Sequence, residues 1–165
     1  MLDFAASQLL SVAQLFGYAA FIVGVLAFLQ REARRLQLLL ALECAVYVAH
    51  FIVLGNPPAA ASAGVSAART LLSIRFRLRW LACAFMGGYL LGGVLLAKTP
   101  VGWLPVVGSC FATWGMFMLS GVRMRLLVLL STLLWLANNI LCGSIGGTVL
   151  EGFIALASVT TLIRM

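Results

Sequence analysis

Seven apolar runs of near-helical length, parted by breaks of only a few residues, leave this chain almost nothing with which to build a folded domain in water. The runs fall at residues 8–28, 36–54, 59–74, 80–97, 103–119, 126–141 and 145–163. A spanning helix takes about 20 residues, so seven consume roughly 140, out of 165 in the chain. The chain is 64% hydrophobic and only 9% charged, with a mean hydropathy of +1.13, whereas soluble domains are about one-quarter charged. The expected class is an all-α membrane protein of seven transmembrane helices whose function lies inside the bilayer.

A net charge of +7 would suggest nucleic acid in a soluble chain, yet the cations are grouped. Three lie within residues 31–35, three within 75–79 and two at Arg123 and Arg125, with Arg69, Lys98 and Arg164 isolated. Short basic clusters between apolar runs are topology signals, so the expected partner is the bilayer and not nucleic acid. The breaks alternate in chemistry, basic at 31–35, 75–79 and 122–125 and neutral or weakly charged at 55–58, 98–100 and 143–147. With the basic breaks in the cytoplasm, the amino terminus lies outside and the carboxyl terminus inside, Lys98 being the exception. The opening Met1-Leu2-Asp3 lacks the positive region of a cleaved signal. Cys44, Cys83, Cys110 and Cys142 sit in apolar runs without CxxC spacing, which predicts neither a disulfide framework nor a zinc site.

The two halves repeat. Residues 42–55 lie over 130–143 at a constant offset of 88, Leu42 over Leu130 and Gly55 over Gly143, and the register continues to Gly64 over Gly152. Arg35 falls over Arg123, and a small length difference brings Gly17 over Gly108 and Gly24 over Gly115. Three spans repeat and one intervenes. A three-span unit reverses direction each time it is used, so the extra span gives both units the same orientation, a 3+1+3 parallel arrangement about an axis along the membrane normal. The units are expected at 1–78 and 99–165, with the linker helix at 79–98. Gly88-xxx-Gly92 on the linker predicts close helix approach, either as a tightly packed connector or as a homodimer face through Gly88 and Gly92. The third span, rich in alanine from Ala59 to Ala68, suits the crowded centre of a unit.

This arrangement resembles the SWEET sugar transporters and the wider PQ-loop group. The likeness is carried by Leu134-Trp135-Leu136-Ala137-Asn138-Asn139 and Glu151-Gly152, set against that group's Leu-Trp-x-x-Tyr-Gly and Asn-Gly segments. There the second-helix Trp and third-helix Asn line the sugar pocket, so the resemblance points to Trp135 and Glu151. Over most of its length, including Gln30, the 31–35 turn, His50 and Gly55, the chain is similar to the YgjV-type bacterial inner-membrane proteins. That similarity implies a location in the bacterial inner membrane and an architecture, without an activity.

A charge at the centre of a span costs about 2.5 to 3.5 kcal/mol on insertion scales, so Glu43, His50, Arg69 and Glu151 each need a reason. Glu43, Tyr47 and His50 recur at i, i+4 and i+7 on one helical stripe, and Ser131, Trp135 and Asn138 take the equivalent places. Two such stripes facing each other would bound a central cavity. Counting 1.5 Å per residue from the breaks puts His50 and Glu151 at depths of about 8 and 12 Å from one side, and Glu43 and Arg69 about 12 and 9 Å from the other. A His50–Glu151 pair in the cavity wall and a structural Glu43–Arg69 ion pair are therefore expected. The plainer alternatives are a His50 imidazole bonded to a carbonyl, a snorkelling Arg69 and a Glu151 acid satisfied by a helix contact. Asn138 and Asn139 form an amide pair, one stabilising helix contacts and the other facing the cavity.

The leading functional expectation is a carrier for a small polar solute working by alternating access. Its site would comprise Tyr47, His50, Trp135, Asn138, Asn139 and Glu151, with proton linkage as a secondary feature and no cofactor or metal. The alternative is a non-transporting receptor or assembly factor that binds a lipid or a partner helix. An enzyme is not expected, since the chain has one His and no HExxH or GxSxG motif.

Overall fold

A computed structural model describes residues 11–76 and 78–164, and among these seven α-helices account for most of the backbone. They are α1 (Val12–Phe28), α2 (Ala33–Val53), α3 (Pro57–Ser73), α4 (Arg79–Leu96), α5 (Leu104–Met118), α6 (Gly121–Cys142) and α7 (Ile145–Ile163), with a 3-10 turn at Pro100–Trp103 leading into α5. Residues 8–10 of the first apolar run lie outside the described residues. By length and composition, α2, α4, α6, α7 and the segment Pro100–Met118 are each able to cross a membrane. Helix α1 is apolar but has 17 residues, and α3, also 17 residues, is built of small residues.

Helix ends follow local chemistry. Asn56 caps α3 by accepting from the Ala59 amide, with prolines in the first turn, where a missing N–H costs nothing. Gly55 and Gly143 close the ends of α2 and α6 at φ +75° and +74°, a left-handed conformation that only glycine takes without strain. They stand 88 positions apart, as the repeat requires.

Helix α6 differs from expectation: it has 22 residues, and not the 16 of the apolar run at 126–141. Likewise α2 begins at Ala33 and includes Arg34 and Arg35. The basic clusters are thus partly first helical turns and not free loops. A helix need not stop where the hydrocarbon does, because long arginine side chains reach the interface from within it.

Each of six helices packs against its neighbours in the order α1, α2, α3, α5, α6, α7 and back to α1, which closes a ring. Helix α4 stands outside this ring, against α3 and α5. Its Tyr89 is 1% exposed, bonds Ser66 of α3 through the two hydroxyls at 2.9 Å and packs on Val106 and Cys110 of α5. Gly88 and Gly92 face Val65 and Ala61 of α3, so the small-residue face serves the connector's own packing within the chain. The ring wears its apolar side outward. Leu, Val, Ile and Phe are widely exposed, Val94 and Leu95 among them, while Gln14, Glu43, His50, Ser131, Asn138 and Asn139 are buried. That distribution is the reverse of a protein folded in water and suits a hydrocarbon surround. As anticipated for a crowded centre, α3 buries Ala59, Ala60, Ser62, Ala63 and Ser66.

Candidate functional site

The ring surrounds a partly open cavity of about 200 Å³ reached by α2, α3, α5, α6 and α7. Glu43 and Tyr47 project into it from α2, Arg69 from α3, Trp135 and Asn139 from α6, and Glu151 from α7. Every one of these groups is a polar or amphipathic side chain on a helix whose outer face is apolar. Glycine makes room for one of the carboxylates: a Cβ on Gly24 of α1 would stand 3.2 Å from the Glu43 carboxyl carbon.

Above the cavity, at the end bearing Gly55 and Gly143, the ring is shut. Phe51 stacks with Tyr47 at a ring separation of 5.5 Å and meets Trp135 across the ring at 5.8 Å. Beyond this aromatic layer come four polar fastenings between the first three helices and the last three. The His50 ring lies 2.6 Å from the Ala13 carbonyl and 2.8 Å from Ser144 Oγ. A carbonyl only accepts, so Nδ1 carries the hydrogen, and in the neutral ring Nε2 accepts from the serine hydroxyl. Asn56 Nδ2 donates to Asn138 Oδ1 at 3.0 Å. Gln14 clamps the α6–α7 turn with both ends of its amide, donating to the Gly143 carbonyl at 2.6 Å and accepting from the Ile145 amide at 3.1 Å.

Two of these fastenings are the same contact made twice. At the offset of 88, His50 corresponds to Asn138 and Asn56 to Ser144. His50 of α2 reaches the residue capping α7, and Asn138 of α6 reaches the residue capping α3.

At the opposite, basic end the boundary is Arg69. Its guanidinium donates to Thr113 Oγ1 at 2.7 Å, and the same residue lines a second cavity of about 410 Å³ with Gln37, Ser73, Met116 and Met124. Arg69 is therefore the shared wall between the central cavity and a vestibule facing the basic turns.

The profile of the bacterial inner membrane protein family Imp-YgjV matches residues 11–165. The inner membrane protein YgjV of Escherichia coli (strain K12) is 41% identical over 155 residues, which cover 93% of this chain and 84% of that protein. The chain belongs to the Imp-YgjV family. No solved structure matches it.

Within this Imp-YgjV protein the polar residues singled out in the sequence separate into two groups. Tyr47, Trp135, Asn139 and Glu151 line the cavity together with Glu43 and Arg69. His50 and Asn138, both 0% exposed, belong to the fastenings above it. The His50–Glu151 pair is not formed, because both ring nitrogens are engaged by Ala13 and Ser144. The Glu43–Arg69 ion pair is not formed either: Arg69 is held by Thr113, and among the described residues the ion pair present is the exposed Arg35–Glu32 contact at 2.7 Å. Thr113 lies on α5, outside the first unit to which the depth count was confined. Gln14, Asn56, Ser144 and Thr113 were not singled out. An amide inside the first apolar run, and polar residues at both capping positions of the repeat, are the signals by which the first three could have been found. Among the described residues no three His, Cys, Asp or Glu side chains gather as a metal site.

Proposed function

We propose that this inner-membrane protein is a carrier for a small polar solute, working by alternating access between two three-helix units in a 3+1+3 parallel arrangement. The observation that carries this reading is the cavity lined by ionisable side chains, walled by both halves and fastened at one end by hydrogen bonds between them. The reciprocal His50–Ser144 and Asn138–Asn56 pairs support the parallel repeat, and the ring order α1-α2-α3-α5-α6-α7 supports units of three with α4 as connector. All seven helices cross the membrane in this reading. The basic turns face the cytoplasm, the amino terminus lies outside, and the state described is closed to the outside with its vestibule toward the cytoplasm.

The energetics suit a rocking mechanism. Hydrogen bonds between helices in membranes average about 0.6 kcal/mol each, so four fastenings amount to about 2–3 kcal/mol. A gap of that size leaves the opposite state populated at roughly 1% and reachable by thermal motion.

Two measurements test the proposal. Single cysteines placed in the turns and labelled with an impermeant thiol reagent should react from outside at the exposed positions 55, 99–100 and 143. From inside they should react at 31–35 and 122–125. An even number of crossings overturns the arrangement. In proteoliposomes, at least one small polar solute should show saturable uptake that falls at least about 10-fold in Glu151→Gln, equivalent to about 1.4 kcal/mol, at unchanged abundance and fold. Uptake equal to that of the unaltered protein removes Glu151 from the pathway.

A further inference from the structure

The chemistry of the cavity wall is lopsided, and that asymmetry identifies the class of solute. Glu43 and Glu151 face the cavity with neither a hydrogen bond nor an ion pair among the described residues. Asn139 is 2% exposed, lines the same space, and its Oδ1 has no partner. The Tyr47 hydroxyl is likewise buried and unpartnered. Ionised carboxylates and amide oxygens only accept, and neither carboxylate is bonded to the neutral donors that share the wall, Tyr47, Ser131 and Thr132 among them. The guanidinium of Arg69 makes no ion pair with either carboxylate; it donates to Thr113 at the boundary with the vestibule. Two carboxylates against one guanidinium leave one negative charge in excess when all are ionised. Burying such groups unpaired is costly, and the cost disappears when a cation with several N–H donors enters. The aromatic groups at the closed end, Tyr47, Phe51 and Trp135, add π-faces that attract a cation and reject an anion.

We propose that the cavity binds a small organic cation bearing a primary ammonium group, held by Glu43, Glu151 and the Asn139 amide oxygen beneath the Tyr47–Phe51–Trp135 layer. A primary ammonium offers three donors, one for each acceptor. The volume sets the size: a water takes about 30 Å³ of liquid, so the space matches on the order of six or seven waters and a solute of comparable heavy-atom count. This assignment deepens the carrier reading and rests on it only for the solute's passage, not for its binding.

Three probes of nearly equal size and shape isolate the charge: ethanolamine, ethylene glycol and glycolate, each titrated onto the purified full chain in detergent and potassium buffer while thermal unfolding is followed. Ethanolamine should raise the apparent Tm saturably by roughly 5 °C at saturation, and the other two should not. Glu151→Gln and Asn139→Ala should each weaken the ethanolamine effect at least about 10-fold; Glu43→Gln is the second carboxylate variant should either of these fail to fold. Stabilisation by glycolate or ethylene glycol equal to that by ethanolamine overturns the cation assignment and leaves the carrier reading standing. An equal shift with sodium shows that an ammonium is not what the wall reads and overturns it too, as does the absence of any shift. Labelled ethanolamine that binds but does not enter proteoliposomes upholds the site and overturns the carrier.

Discussion

Bridging positions 56 and 138 with a short, reducible bifunctional thiol reagent should stop solute flux, with uptake falling in proportion to the fraction bridged and returning on reduction. Asn56 and Asn138 touch at 3.0 Å across the closed end of the ring, one from the turn before α3 and the other from α6. In the unaltered protein that contact is worth a fraction of a kcal/mol and separates readily. A covalent link cannot separate, so the two units are held in the state described here and the outward-open state of the proposed mechanism is removed from the ensemble. The measurement needs Cys44, Cys83, Cys110 and Cys142 replaced by serine, since all four are free thiols. Full uptake by quantitatively bridged protein would show that the closed end never opens, and the rocking mechanism would fall with it.

The largest effect on stability should come from Gly146→Ala. Gly146 sits in the first turn of α7 where that helix crosses α1, and a Cβ there would drive into the carbonyl group of Gly17. Backbone cannot swing aside as a side chain can, so the helices must part, loosening the Gln14 clamp and the His50–Ser144 bond beside them. A loss of about 3 kcal/mol or more is expected, at the upper end of overpacking penalties. Gly152→Ala, one substitution further along the same helix, is the control. Nothing lies within 4 Å of a Cβ built at Gly152, so the change should gain up to about 1 kcal/mol from helix propensity. Thermal unfolding of both variants in one detergent measures the difference; equal midpoints would refute the crossing geometry.

Much of the fold is legible in the sequence because hydrocarbon thickness imposes one simple rule, and α7 begins and ends where its apolar run does. The rule fails at α6, whose first turn contains Arg123 and Arg125 and so is invisible to a hydropathy reading. For the cavity, Tyr47 and Trp135 were legible because helical periodicity and the repeat agree on them, and Glu151 because an ionisable group inside a span demands a reason. His50 was legible only as the plainer alternative, an imidazole bonded to a carbonyl, and the capping hydroxyl that is its second partner was not. Neither kind of partner can be inferred from the depth of the residue in the membrane. Asn138 and Asn139 were legible as a pair with divided duties. Only the three-dimensional arrangement assigns position 138 to the closure and 139 to the wall.

The two matched contacts at the closed end are equivalent in place but different in composition, imidazole with hydroxyl on one side and amide with amide on the other. An assembly of two identical short chains could not have this property, because every mutation there would strike both sides at once. Carried on a single polypeptide, each bolt of the door can be filed independently, so in the proposed carrier natural or engineered variants would shift the dwell time in each state by small steps without unhinging it.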